Sequence, residues 1–491
     1  MTLAPALGVL LALAADESGP VLVIPPEGPG GAPAGWIGAA VAETLPRALQ
    51  RAGIPAIPGS DRRRAQEALG VSSAGTTRAT GIRVAESLGS SRLVVGSWAQ
   101  RGAELTLSLR LLDVRRGSLS APLVAKGPLT GLGRAVHALA WDVVLAGPRP
   151  ATGTREALLR GADAVPFEAL RALGEGLAGT DAAARLAGLR RAVAVHPEYD
   201  EAWLALGRLL ADAGRFGEAR EAVAHVAAGS PLVRDARFLE GVALLGLGRH
   251  READVLYAEL AAQEPTAAAL GNRAVARLRE GPDHGAPELL RQAVEAAPAS
   301  VDLPFNLGWA LFVEAEPAAA AFWLKGAVHR DPGDAEGRLV LSWALTASGR
   351  PVEAEEQWRA AASLVPALTP LRKADLTRRL ERVLPSEQGL LLDPARAADA
   401  EASRVHAARG EALLAAGDHD GAVSELARAT LLDPYAARPH RLLGQAHRAR
   451  GRNDEALAEL RMALWCRDDP ALRREIAELL GSMGRGEEAG P

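Results

Sequence analysis

The chain has 491 residues, 48% hydrophobic and 24% charged, the balance of a folded protein and not of a disordered one. Its 56 basic and 60 acidic side chains leave a net charge of −4, so no overall field points at nucleic acid or at an anionic membrane. A single cysteine, Cys466, excludes an intrachain disulfide and a cysteine-based zinc site.

Met1 to Ala15 carry no charged side chain and are mostly apolar. The stretch is shorter than the ~20 residues that span a bilayer. Ala12-Leu13-Ala14 ahead of Asp16-Glu17 offers a small-residue cleavage site. Residues 1–15 therefore read as a secretory signal and the mature chain as exported to the periplasm. The basic segment of such signals is missing, which leaves a cytoplasmic location as the alternative. No other apolar run reaches membrane-spanning length, so the mature chain is expected to have no transmembrane segment.

Residues 19–150 read as a small α/β domain. Val21-Leu-Val-Ile24 is an apolar run closed by Pro25-Pro26, the pattern of a buried strand. Trp36 to Ala52 has helical spacing, with Ile37, Val41, Leu45 and Leu49 on one face. Ile54 to Ile57 reads as a second short strand, and residues 61–70 and 77–88 as helices. Arg92 to Trp98 and Glu104 to Val114 form a hairpin turned at Arg101-Gly102; Leu105, Leu107 and Leu109 alternate with Thr106, Ser108 and Arg110. A third strand is expected at Ser118 to Ala125, and a closing helix at Gly131 to Leu145 with Val136, Leu139, Ala140 and Val143 inward. Gly28 to Gly38 joins a strand to a helix, where phosphate loops occur. Pro29 and Pro33 remove amide donors there, and neither phosphate-loop template fits, so a connector is the better reading.

In element order, Val21-Leu-Val-Ile24, Gly35-Trp-Ile-Gly38, Leu93-Val-Val-Gly-Ser97 and Leu107-Ser-Leu-Arg-Leu-Leu-Asp113 resemble the TolB amino-terminal domain. The resemblance implies a non-catalytic, envelope-associated interaction module.

Beyond residue 166 seven prolines set a ruler: Pro197, Pro231, Pro265, Pro298, Pro332, Pro366 and Pro434. Their spacing is 34 residues, or 33 once, and 68 across the final gap. A 34-residue period is the tetratricopeptide signature of paired helices. With each proline at position 32, alanine recurs at position 20 (Ala219, Ala253, Ala286, Ala320, Ala354, Ala422, Ala456) and glycine at position 8 (Gly207, Gly241, Gly308, Gly410, Gly444). At these positions the chain resembles the tetratricopeptide family. Small residues at 8 and 20 are expected to meet where two antiparallel helices cross at ~8–10 Å. The fold class expected is thus mainly α, an α-solenoid of helix pairs behind a small α/β domain. About six repeats fill 166–366 and two more, with a capping helix, fill 403–485. The first repeat is degenerate, with Arg185 at position 20. Residues 367–402 fill one period but break the pattern, as a decayed repeat or an insertion; Lys373 to Val383 reads as a helix and Pro385 to Pro394 as a loop.

The resemblance implies a groove lined by the first helix of each pair, at positions 2, 5, 9, 12 and 13. Those positions place Phe238, Phe305, Trp309, Phe312 and Trp343 in an apolar middle and Arg438, Arg441 and Arg448 at a basic end. Aromatic anchors of that kind suit a protein or peptide partner, an extended segment or a helix. Trp203 and Trp358 fall at positions that pack inside a pair. No motif of hydrolase, metalloprotease or cysteine catalysis occurs, and no cofactor or metal is expected. His440 and His447 read as a solvated pair, and Asp418 as a helix cap. The reading is a non-enzymatic scaffold in the bacterial cell envelope. The competing one is a nucleotide- or sugar-binding regulator or enzyme with its site in residues 19–150.

Overall fold

The computed structural model describes residues 19–489, apart from 30–34, 72–76, 115, 148–151, 282–284, 388–389, 391 and 393. The candidate signal at residues 1–15 and residues 30–34 of the Gly/Pro connector lie outside the described residues. The chain divides into two compact units. One holds residues up to Arg249 together with Pro385–Leu391; the other holds His250–Leu384 and residues from Leu392 onward.

In the first unit a four-stranded sheet runs β1 (Val21–Val23), β2 (Arg92–Arg101), β3 (Glu104–Asp113) and β4 (Leu123–Pro128), in that order. β1 pairs parallel to β2, Val21 opposite Arg92, and the rest is an antiparallel meander with Trp98 opposite Leu107. The last strand begins five residues later than the sequence reading placed it. Leu119 instead makes a lone bridge to Leu112. The expected strand at Ile54–Ile57 is also a single bridge, Ala56 to Val21. β1 is buried on both faces, which is why its sequence is an unbroken apolar run. Val21 and Val23 pack with Ile37, Val41, Leu45 and Leu49 of α1 (Gly35–Arg51). Leu22 and Ile24 pack on the other side, with Ala65 of α2 (Gly59–Ala68) and Val84 of α3 (Arg78–Ser87). Helix α4 (Leu132–Leu145) closes the first face through Val136, Leu139 and Val143.

A short helix, α5 (Arg155–Asp163), leads into the first repeat, α6 (Phe167–Ala178) and α7 (Ala182–Val195). The second repeat is α8 (Asp200–Asp212) with α9 (Phe216–Val223), and α10 (Val233–Gly246) opens the third. The sheet domain and these repeats share one unit because α1 is sandwiched. Gly174 of α6 lies so close to α1 that a β-carbon on it would sit 2.5 Å from the Trp36 carbonyl. Arg47 pairs with Asp235 at 2.7 Å and Arg51 with Glu201 at 2.6 Å.

The second unit begins with α11 (His250–Gln263). Three helix pairs follow: α12 (Ala267–Glu280) with α13 (Ala286–Ala296), α14 (Leu303–Val313) with α15 (Pro317–Arg330), and α16 (Ala335–Ala347) with α17 (Pro351–Leu364). The described residues between 369 and 392 form no helix pair. The last repeats are α18 (Pro394–Ala415) with α19 (His419–Leu432) and α20 (Ala437–Ala449) with α21 (Asn453–Cys466), capped by α22 (Pro470–Ser482). They rest on α15: the Trp323 indole N–H donates to the Trp465 carbonyl at 3.0 Å, and Tyr435 lies against Gly326.

Within a pair, the glycine at position 8 meets a branched side chain at position 24 more closely than it meets the alanine at position 20. A β-carbon on Gly308 would lie 2.5 Å from Leu324 Cγ, and one on Gly207 2.6 Å from Val223 Cγ1. In the first repeat, which lacks glycine at position 8, the close approach has moved to Gly176 against Gly188. Gly308→Ala is therefore expected to cost roughly 1–3 kcal/mol by overpacking. Gly217→Ala, with open space around the new methyl, is expected to leave stability unchanged or slightly raised. Thermal unfolding followed by helical circular dichroism, variant against parent, checks both.

Candidate functional site

The face built by α12, α14 and α16 carries an unusual concentration of buried polar and aromatic groups. Phe305 is wholly buried, and Trp309 and Trp343 nearly so. Trp309, Phe312 and Trp343 form a row, with ring centroids 6.2 and 6.5 Å apart. On this face, within the second unit, lies the chain's own segment Leu371–Leu384 (residues 371–384). Trp343 donates its indole N–H to the Leu371 carbonyl at 3.0 Å.

Two asparagines hold the far end of that segment by its backbone. Asn306 accepts from the Arg382 amide at 2.7 Å and donates to the Arg382 carbonyl at 2.8 Å. Asn272 does the same to Leu384, with both bonds at 2.7 Å, and also donates to the Tyr257 hydroxyl at 3.0 Å. Neither asparagine has any exposed surface. A carboxamide presents one acceptor and two donors side by side, so it matches the amide and carbonyl of one residue in an extended chain. The two asparagines occupy position 6 of successive repeats, 34 residues apart, and they engage residues two apart in the segment, the period of a strand.

Side chains of the segment are held as well. The Arg382 guanidinium sits 4.0 Å above the Phe305 ring and pairs with Asp302 at 3.1 Å and with Asp334. Burial pulls this guanidinium down, but Asp334 and Asp302 outweigh it, so it is held above its ordinary value. The other oxygen of Asp334 caps α16, accepting from the Gly337 amide at 2.9 Å. Leu384 is buried over Gly271, where a β-carbon would come within 2.8 Å of its Cδ1. Glu381 pairs with Arg279 at 2.5 Å. Between these anchors, Arg372 to Ala374, Leu376, Thr377 and Arg379 are exposed.

This replaces the helix expected over Lys373 to Val383. The residues there favour helix, but the amides and carbonyls of Arg382 and Leu384 bond to asparagine side chains and so take no part in an i→i−4 ladder. In the first unit the next residues are held by side chains as well. Arg208 donates to the Pro385 carbonyl, Ser386 to Asp61 at 2.7 Å, and Arg234 forks onto Glu387 at 2.6 and 2.7 Å.

The other residues singled out from sequence do not join the aromatic row. Phe238 is buried in the first unit, beside Arg208 and Glu387. Arg438 pairs with Glu411, and Arg441 with Glu475 at 3.0 Å and Asp469 at 3.2 Å, so these two are matched by the chain's own carboxylates. Arg448 is exposed on α20. His440 is not solvated: it is buried, 2.6 Å from Glu459 and 3.0 Å from the Pro434 carbonyl. Trp203 and Trp358 are half-buried; Trp203 stacks on His225 at 4.0 Å and Arg372 lies 3.6 Å above Trp358. Asp418 caps α19, accepting from the Gly421 amide at 2.9 Å. Among the described residues no group of three or more His, Cys, Asp or Glu side chains could hold a metal, and no helix is long and apolar enough to cross a membrane.

Sequence reasoning does not single out the asparagines, yet a signal is there. The chain has only three asparagines, and two of them fall at the same position of neighbouring repeats.

Residues 168–233 and 407–472 match the tetratricopeptide repeat family model. Together with the helix pairs above, this shows that the chain carries tetratricopeptide repeats, which generally serve as scaffolds for protein partners. No curated protein matches it. Among solved structures it is similar to MamA AMB-1 at 21% identity, over 34% of this chain and 98% of that one, with a TM-score of 0.30. It is similar to the Cut9-Hcn1 hetero-tetramer of the APC/C at 14% identity, over 71% of this chain and 63% of that one, with a TM-score of 0.31. A tetratricopeptide repeat protein from Parabacteroides merdae matches at 14% identity, over 57% of this chain and 97% of that one, with a TM-score of 0.30.

Each buried hydrogen bond contributes about 0.5–1.5 kcal/mol net, so the four made to the segment backbone hold it by several kcal/mol. Replacing both asparagines (Asn272→Ala with Asn306→Ala) is expected to speed tryptic cleavage after Arg382 at least tenfold under native conditions. Peptide mapping against the parent chain measures this.

Proposed function

We propose that this protein is a non-catalytic adaptor that captures an extended segment of a partner protein along the face of α12, α14 and α16. One observation carries the reading. Two wholly buried asparagines each satisfy the amide and carbonyl of a single residue in an extended chain, which is recognition of backbone itself. Buried amides left without partners would each cost about 1–3 kcal/mol, so this face is built to be covered by a peptide. The aromatic row beside it supplies apolar area for side chains. The sheet domain is the second interaction module, in keeping with its TolB-like order of elements. The apolar start of the chain and its Ala12-Leu13-Ala14 site support export to the bacterial envelope.

Crosslinking the tagged full chain in its native cells, followed by quantitative mass spectrometry, tests the adaptor reading. Partners are expected to fall at least fivefold with Asn272→Ala plus Asn306→Ala and to be unchanged with Arg448→Ala. An identical partner set in all three proteins refutes it. A mature amino terminus at Met1 would refute export.

A second reading has one observation behind it. An open cleft of about 270 Å3 in the sheet domain brings Glu27 together with Arg78 and Arg110. A nucleotide or sugar bound there is expected to raise the melting temperature of the full chain, and to do so no longer after Arg110→Ala. No shift with either ligand class removes this reading.

A further inference from the structure

The segment in the groove shows what the groove selects. Resting on the adaptor reading above, we infer that the partner segment carries an arginine followed two residues later by a branched aliphatic residue, and that residues 371–384 are a built-in occupant which such a segment displaces.

Three features of the second unit support this. First, the asparagine bonds fix the register: Asn306 holds the backbone of one residue and Asn272 that of the residue two further on. Any chain held this way presents side chains at those same two places. Second, each place has its own chemistry. At the first, Asp302 and Asp334 flank the Phe305 ring, a setting for a planar cation that a guanidinium fills by two ion pairs and a stack. An ammonium would forfeit the forked geometry. At the second, Gly271 leaves a hollow in which Leu384 is buried, with Leu303 beside it. Third, the resident segment is fastened at its two ends, with a looser stretch between them. Trp343 holds Leu371, Arg372 pairs with Glu355 and stacks on Trp358, the next firm anchors are Leu380 and Glu381, and most residues between them are exposed. It has no helix or sheet of its own to lose on leaving.

A tethered occupant competes at a high effective concentration, of millimolar order for short flexible links. A free segment of the same pattern must therefore bind far better once the tethered one is disarmed. The probe is a fluorescein-labelled peptide with the sequence of residues 376–387, titrated into the full chain and followed by anisotropy. The chain bearing Arg382→Ser and Leu384→Ser is expected to bind it at least tenfold more tightly than the parent. Arg382→Lys or Leu384→Ala in the peptide is expected to weaken that binding at least fivefold, and adding Asn272→Ala with Asn306→Ala to the protein to abolish it. Should the disarmed chain fold poorly, the parent serves: excess peptide is expected to expose Arg382 of the chain to trypsin, and the Arg382→Lys peptide to do so far less.

Equal affinity for parent and disarmed chains overturns the inference. So does a peptide indifferent to its arginine, or a parent chain that dimerises with concentration through this segment, which would make a second copy the occupant. If the peptide binds nothing while partners captured in cells still depend on the two asparagines, the inferred pattern is wrong and the adaptor reading stands.

Discussion

A buried carboxamide must find hydrogen-bond partners for both its oxygen and its nitrogen or lose the free energy of their desolvation. Asn272 and Asn306 lie on the first helices of their pairs, where the helix backbone is already paired with itself, and neither sees solvent. An extended chain laid across the helices offers an amide and a carbonyl at the right separation. The extended course of the chain at Arg382 and Leu384 follows from meeting that requirement. The repeat geometry makes it possible, since the same position in neighbouring repeats returns to the same face and so aligns two readers with a single strand.

Residues 371–384 show how tertiary demand overrides local preference. From Leu371 to Leu384 the residues are good helix formers, and their apolar spacing is close to helical. A helix there would save its own backbone bonds but would leave two buried amides, the carboxylates of Asp302 and Asp334, and the hollow over Gly271 without partners. Several unmet polar groups cost more than the modest propensity gained along one helix. Prolines 370 and 385 bracket the stretch and remove amide donors at its ends.

Charge is handled economically in the same region. Asp334 ends one repeat by capping the helix of the next and turns its remaining oxygen to Arg382. Asp302 shares that guanidinium, and Phe305 supplies the stacking face. Arg438 and Arg441 on α20, part of what looked in sequence like the basic end of a groove, are matched to Glu411, Glu475 and Asp469, while Arg448 is exposed. A run of like charges on one helix says little about the free field until the neighbouring helix is known.

Periodicity made the helix pairs legible, because a helix crossing restricts side-chain size at fixed positions. Prolines every 34 residues, with glycine at position 8, state that restriction locally. The alternation of Leu105, Leu107 and Leu109 likewise announced a half-buried strand, and the unbroken run Val21 to Ile24 a strand buried on both sides. Phe305, Trp309, Phe312 and Trp343 could be placed on one face from spacing alone. What they face could not, because no local pattern in residues 371–384 encodes a partner 76 or 112 residues away in the chain. The position-24 partner of the crossing glycine, the move of the close approach to Gly176 and Gly188, and the docking of the last repeats on α15 were decided in the same way. Periodicity reports the interactions within one repeat; contacts between distant segments depend on shape and on unmet hydrogen bonds that exist only after the chain has folded.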